Sequence, residues 1–102
     1  MHLVQVLLPV YDNEGQLLPA GLHHTVRDEL TERFGGLTAY TRAPAEGLWK
    51  ESAARTSRDD IVVYEVMTAR LDADWWSNYR RELEDRFRQQ QVVVRAQSIR
   101  VL

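Results

Sequence analysis

The sequence predicts an α+β domain built from four β-strands and two α-helices. Three observations support this: apolar, β-favouring runs occur near both ends and in the middle of the chain, two segments repeat apolar residues at helical spacing, and turn residues separate them. The chain has 102 residues, of which 44% are hydrophobic, and a formal net charge of −2. That composition is sufficient for one folded core, so we expect residues 1–102 to form a single domain.

The first half of the chain predicts a strand, a helix and a second strand. Residues 2–10 are almost wholly apolar and are followed by the turn-forming segment 12–15. Pro19 suits the first turn of a helix, which should end at the glycine pair after Phe34. The buried stripe of this helix is predicted to comprise Leu22, Val26, Leu30 and Phe34. Residues 37–42, rich in Thr and Tyr, then predict the second strand.

The second half repeats the pattern after a long connection. Residues 43–59 contain no apolar run and are expected to form a long loop. Residues 61–67 are the clearest strand, and either Asp72 or Asp74 can cap the second helix. That helix carries apolar residues at helical spacing, namely Trp76, Tyr79, Leu83 and Phe87. The segment from Val92 onward predicts the fourth strand.

The predicted element order is therefore β-α-β-β-α-β. Two helices covering one face of a four-stranded antiparallel sheet give the ferredoxin-like arrangement, with strand order 4-1-3-2. The opposite face of the sheet, called the open face below, has no helix of its own to cover it. Exposed apolar surface of this kind usually meets a partner or a ligand.

Period-two alternation assigns the residues of each strand to one face or the other. The helix-facing set is predicted to be Val4, Val6 and Leu8, Val62, Tyr64 and Val66, and Val92, Val94 and Ala96. The open face should then carry Leu3, Gln5, Leu7, Thr38, Tyr40, Ile61, Val63, Glu65, Met67, Val93, Arg95, Gln97 and Ile99. This choice keeps two charged residues out of the core, where an unpaired charge is costly.

Strand order 4-1-3-2 places Arg95, Gln5 and Glu65 side by side across the open face, and we call this trio the polar line. In a dimer the line would set the register, with Arg95 and Glu65 pairing directly or across a two-fold axis. In a cleft it would offer Arg95 to an anion and Glu65 as a base or hydrogen-bond acceptor. Trp49, after Gly47, should either join a small satellite core or contact the open face or a second subunit.

Several classes of site and partner are not expected. The absence of cysteine excludes disulfides and Cys-ligated metals, and the adjacent His23 and His24 diverge by about 100° around a helix, so no metal or cofactor is predicted. The strand at 61–67 lacks the basic, aromatic character of an RNA-reading strand, so no nucleic acid is expected. The apolar N-terminal run is too short to span a bilayer, so we expect no membrane partner and a cytoplasmic location.

Short motifs in the middle of the chain resemble those of a family of small bacterial proteins of unknown function. The motifs are Phe34 followed by Gly36-Leu37-Thr38, Gly47-x-Trp49, Arg58 ahead of the third strand, and Phe87-x-Gln89 leading into Val92 and Arg95. The resemblance implies the same fold and draws attention to Thr38, Trp49, Gln89 and Arg95. The predicted layout is also similar to that of the dimeric α+β barrels, in which two sheets pack their open faces together.

Two functions follow as expectations. The first is a homodimeric interaction module or small-molecule-binding module that uses the open face, with Gln5, Thr38, Tyr40, Trp49, Glu65 and Arg95 as candidate interface or ligand residues. The alternative is a cofactor-free enzyme of the α+β barrel type, a monooxygenase or isomerase acting on a small anionic organic compound. In that case Arg95 would bind the anion, Glu65 would act as acid or base, and Trp49 and Tyr40 would wall the cleft.

Overall fold

The chain folds into six elements in the predicted order, as seen in a computed structural model. The structure describes residues 1–52 and 55–102, with side chains described for residues 1–40 and 60–102. The elements are β1 (His2–Pro9), α1 (Ala20–Phe34), β2 (Thr38–Ser52), β3 (Arg55–Thr68), α2 (Ala73–Phe87) and β4 (Val93–Ser98).

The four strands form one antiparallel sheet in the order β2-β3-β1-β4. This is the predicted order 4-1-3-2 read from the other edge, so the ferredoxin-like fold class is confirmed. Strand β1 lies in the interior of the sheet and pairs with β3 on one side and β4 on the other. Val6, for example, lies opposite Tyr64 and also opposite Val94.

The segment 43–59, expected to be a loop, is largely strand, and that prediction was wrong. Strand β2 continues to Ser52 and β3 begins at Arg55, with paired residues from Ala45 opposite Ile61 to Ser52 opposite Arg55. A register shift lies between Tyr40 and Ala45, beside a proline that has no N–H to donate. Backbone pairing of two strands does not itself require apolar alternation, so the polar composition of this segment resembled that of a loop.

The core lies between the helices and one face of the sheet. It contains the predicted residues of β1 and β3 together with Val26, Leu30, Trp76, Tyr79, Leu83, Phe87 and Val92. Leu22 and Phe34, the ends of the predicted α1 stripe, are half-buried against it. Two predicted core positions on β4 differ, because Val94 is half-buried and Ala96 is exposed. Strand β4 is an edge strand of six residues, so its outer side has no neighbouring strand to shield it.

The end of α1 and the start of α2 lie at residues that the sequence indicates. Gly35 terminates α1 at a φ of 79°, and its N–H donates to the carbonyl of Thr31 at 2.8 Å. Glycine adopts this left-handed conformation without strain. The carboxylate of Asp72 accepts the N–H of Trp75 at 3.0 Å, so Asp72 rather than Asp74 caps α2.

An ion pair joins the two helices above the sheet. The guanidinium of Arg86 on α2 donates to both carboxylate oxygens of Glu29 on α1, at 2.5 and 2.9 Å, and also to Glu82 at 2.6 Å. The hydroxyl of Tyr79 donates to Glu29 at 3.0 Å. Hydrogen bonding by Arg86 lowers the pKa of Glu29 despite partial burial, and burial raises the pKa of Tyr79. The pair fixes α1 against α2 and so holds both over the same sheet face.

Replacing Glu29 should make the protein less sensitive to acid. The pKa of Glu29 is lower in the folded chain than in the unfolded chain, so its ionised form stabilises the fold above the unfolded-state pKa, and this is lost as the pH falls through the folded-state pKa. Its side chain is 40% exposed, so solvent screening limits the effect. From about pH 6 to about pH 3, the wild type should lose about 1 kcal/mol more unfolding free energy than Glu29→Gln.

Urea unfolding at each pH measures this difference. The matched control is Glu32→Gln, which removes an exposed carboxylate from the same helix. Equal pH dependence in the wild type and Glu29→Gln would show that the ion pair contributes nothing to stability.

Candidate functional site

The open face carries the residues that alternation predicts. Leu3, Gln5 and Leu7 alternate along β1 with three buried residues, and the paired positions on β3 alternate with buried residues in the same way. Their partners on β4, Val93, Arg95 and Gln97, are all exposed. Large apolar side chains are exposed on this face: Tyr40 at 49%, Met67 at 55% and Val93 at 41%. The open face is therefore an apolar surface that the helices leave uncovered.

The polar line forms across the middle of this face. Gln5 lies opposite Glu65 on one neighbouring strand and opposite Arg95 on the other. Its side-chain amide donates from Nε2 to Oε1 of Glu65 at 2.7 Å, while its Oε1 accepts from Nε of Arg95 at 2.8 Å. Tyr40 donates its hydroxyl to Oε2 of Glu65 at 3.4 Å. The sequence predicted the trio but not the participation of Tyr40 in its hydrogen bonding.

Gln5 separates the two charges of the line. Arg95 and Glu65 are two strands apart, a separation of about 10 Å between backbones, and each is bonded to the amide between them. Direct pairing of Arg95 with Glu65 within one chain, one of the predicted arrangements, is therefore not what the structure shows. Both oxygens of Glu65 accept a hydrogen bond. The terminal amino groups of Arg95 have no acceptor among the described side chains.

The other predicted site residues lie on β2. Thr38 is exposed and lies opposite Glu65 in the β2–β3 register, so it is next to the polar line. Trp49 lies opposite Ser57 in the outer part of the hairpin, and its side chain lies outside the described residues. The structure therefore brings together Gln5, Thr38, Tyr40, Glu65 and Arg95. The predicted role of Trp49 stays a prediction.

A cavity of about 340 Å³ opens on the Arg95 side of the open face. It is lined by Leu3, Gln5, Arg95, Ala96 and Gln97. No acidic residue lines it, and Arg95 provides its charge. Gln97 was assigned to this face from the sequence but not to the site. Its position two residues after Arg95 could have placed it in the site, because alternate residues of a strand lie on the same face.

A second cavity, about 180 Å³ in volume, lies on the helix side of the sheet, between the start of α2 and the edge strand β4. Its lining is mostly apolar and includes Val4, Leu71, Trp76 and Val94. The guanidinium of Arg80 also reaches it, but that group is bonded to both oxygens of Glu84, at 3.1 and 2.9 Å. Arg95 and Ser77 line this cavity as well.

The described residues offer neither a metal-binding cluster nor a membrane-spanning helix. Among the side chains of residues 1–40 and 60–102, no three His, Asp or Glu residues are grouped in a way that could hold a metal ion. Neither α1 nor α2 is long and apolar enough to cross a membrane.

Gln89, one of the motif residues, donates from Nε2 to the carbonyl of Phe87 at 3.1 Å, just past the end of α2.

Comparisons with solved structures agree on the class of fold. No protein-family model matches the chain, and no curated protein matches it, so the resemblance based on short motifs stays a prediction. Solved structures do match over nearly the whole chain, at identities of 9–15%, which is a likeness of fold alone.

Two proteins illustrate this likeness. CutA1 from Pyrococcus horikoshii OT3, in a variant form, matches with a TM-score of 0.61 and 9% identity over 100% of this chain and 86% of that chain. A phage SAM lyase in its apo state matches with a TM-score of 0.61 and 10% identity over 94% of this chain and 78% of that chain. The phage SAM lyase in complex with S-methyl-5'-thioadenosine matches with a TM-score of 0.56 and 15% identity over 94% and 79% of the two chains.

Replacing Gln5 tests whether it organises the polar line. Gln5→Met keeps the volume of the side chain but removes both hydrogen bonds, so the free energy of unfolding should fall by about 1 kcal/mol. The Nε–H signal of Arg95 in a nuclear magnetic resonance spectrum should also shift, because its acceptor is lost.

The matched control is Gln97→Met, which makes the same exchange on the same face. Gln97 has no hydrogen-bond partner among the described side chains, so this variant should be about as stable as the wild type. If both variants unfold at the same urea concentration, Gln5 has no organising role.

Proposed function

We propose that the protein is a self-associating domain that forms a homodimer by packing two open faces together. The observation that supports the proposal is the polar line, which has a cation at one end and a carboxylate at the other. A surface of this kind is complementary to a second copy of itself, as a two-fold interface requires. The homodimer was also the leading expectation from the sequence.

The charges determine how the two copies would be oriented. A two-fold axis that runs parallel to β1 and passes beside Gln5 reverses the order of the line in the second copy. Arg95 of one subunit then faces Glu65 of the other, and the reverse contact forms at the other end. An axis perpendicular to the strands would instead place like charges opposite each other, which is unfavourable. The parallel axis is therefore the orientation that we propose.

The apolar residues around the line supply the driving force for association. Tyr40, Met67 and Val93 are each about half exposed in the single chain. Burying apolar surface contributes roughly 25 cal/mol per Å², whereas ion pairs chiefly set orientation and specificity. In this arrangement the apolar rim gives affinity and the polar line gives register.

The geometry favours binding over catalysis at this site. Glu65 is held by hydrogen bonds from Gln5 and Tyr40, and the lone pairs that remain on its oxygens suit it to accept from the guanidinium of a second subunit. The Arg95 end of the line has open donors and a cavity beside it, which supports binding of a small molecule there. We therefore place the cofactor-free enzyme second to an interaction and binding module.

Exchanging the two charges tests the proposed orientation. Arg95→Glu alone, or Glu65→Arg alone, places like charges opposite each other across the two-fold axis and should weaken dimerisation by about tenfold or more. Combining the two substitutions restores opposite charges, because the Gln5 amide can rotate to donate where it accepted. The double variant should recover most of the wild-type affinity in sedimentation equilibrium.

Arg81→Glu is the matched control, since Arg81 lies on the exposed side of α2 and bonds to Asn78. This charge reversal should leave the dimer unchanged. A wild-type protein that stays monomeric at high concentration would overturn the proposed function. A dimer that is insensitive to both single charge reversals would overturn the proposed interface.

A further inference from the structure

We propose that the cavity beside Arg95 binds a small organic monocarboxylate, and that this ligand weakens self-association by taking the place of the partner's Glu65. The regulatory part of this inference rests on the proposed function, because the ligand can weaken self-association only if the chain forms a dimer. The binding site itself is described within a single chain.

The donor geometry of Arg95 is the first support. Its Nε donates to Gln5 at 2.8 Å, which anchors the base of the guanidinium at the centre of the sheet. The two terminal amino groups, which point away from Nε in a fixed fork, have no acceptor among the described side chains. A guanidinium presented in this way can hold a carboxylate through two parallel hydrogen bonds.

The lining of the cavity is the second support. It offers one cation, two side-chain amides and one aliphatic wall: Arg95, Gln5 and Gln97, and Leu3. A volume of about 340 Å³ lies within the usual range for sites that hold small organic ligands. The combination fits a carboxylate head with a short apolar body, since Leu3 contacts the body and the amides can bond polar substituents.

The charge of the face sets the charge of the ligand. Among the strand residues of the open face within 1–40 and 60–102, Arg95 and Glu65 are the charged ones, and Glu65 lies at the far end of the line. One guanidinium neutralises one negative charge, so a monoanion is better matched than a phosphate with about two. A planar carboxylate is also the group that the dimer itself would present to Arg95.

The free ligand and the second subunit both present a carboxylate to the same guanidinium, so they compete for it. In the proposed dimer the carboxylate of the second copy's Glu65 meets the terminal amino groups of Arg95. A free carboxylate that binds one Arg95 removes the contact at one end of the line, and a second bound to the other subunit removes the contact at the other end. Ligand and partner therefore oppose each other, and by linkage each must weaken the binding of the other by the same factor.

Benzoate is the probe we would use, with benzamide as its neutral analogue and sodium chloride at equal ionic strength as the salt control. Saturating benzoate should raise the dimer dissociation constant by about tenfold, whereas benzamide and sodium chloride should change it much less. Sedimentation equilibrium measures this constant. The Nε–H signal of Arg95 should shift with benzoate and not with benzamide.

Two substitutions define the role of Arg95. Arg95→Gln should abolish the effect of benzoate on both readouts, and Arg95→Lys, which keeps the charge but not the fork, should reduce the effect. Arg81→Gln removes a positive charge elsewhere and should respond to benzoate like the wild type. Circular dichroism confirms that each variant is folded.

The outcomes separate the site from the dimer. If benzoate acts no more strongly than sodium chloride and the Arg95 signal does not move, the inference is wrong while the dimer stands. If the protein is monomeric but benzoate still shifts the Arg95 signal, the proposed function and the regulation are wrong and the carboxylate site stands. If Arg95→Gln retains the full response, the carboxylate binds elsewhere and the inference is wrong.

Discussion

The pairing of β1 on both of its edges is the constraint on which the rest of the structure depends. Because this strand is hydrogen-bonded to β3 and to β4, its alternation also fixes the faces of its two neighbours. Burial of Val4, Val6 and Leu8 in the core places Gln5 on the opposite face. The register then brings Glu65 and Arg95 to either side of it. The same strand therefore sets both the hydrophobic core and the polar line.

The sequence predicted those parts of the structure for which two patterns, such as strand alternation and the positions of charged residues, gave the same answer. Strand alternation alone leaves the choice of face open, but a charged residue on β3 and another on β4 exclude one of the two choices. Combined with the element order, this was sufficient to place Gln5 between Glu65 and Arg95. The helix stripes and their end residues, such as Gly35 and Asp72, were likewise determined by local chemistry.

The parts that the sequence did not predict depend on contacts without a local signal. The outer β2–β3 ribbon is held by backbone hydrogen bonds, which polar residues form as readily as apolar ones. The Glu29–Arg86 pair joins half-buried positions on two helices, and spacing along one helix does not say which residue of another it will meet. The role of Tyr40 depended on the register of β2 against β3. Ala96 is exposed because its strand is at the edge of the sheet.

The pairing of β1 with β4 also has a consequence for the order of folding. Gln5 and Arg95 are 90 residues apart in the chain, so joining them closes a very long loop, at a larger entropic cost than the hairpin of β2 and β3. Until β4 arrives, one edge of β1 presents unpaired N–H and C=O groups, which are available to strands of other chains. Pairing of β4 with β1 thus removes a route to aggregation and at the same time completes the polar line.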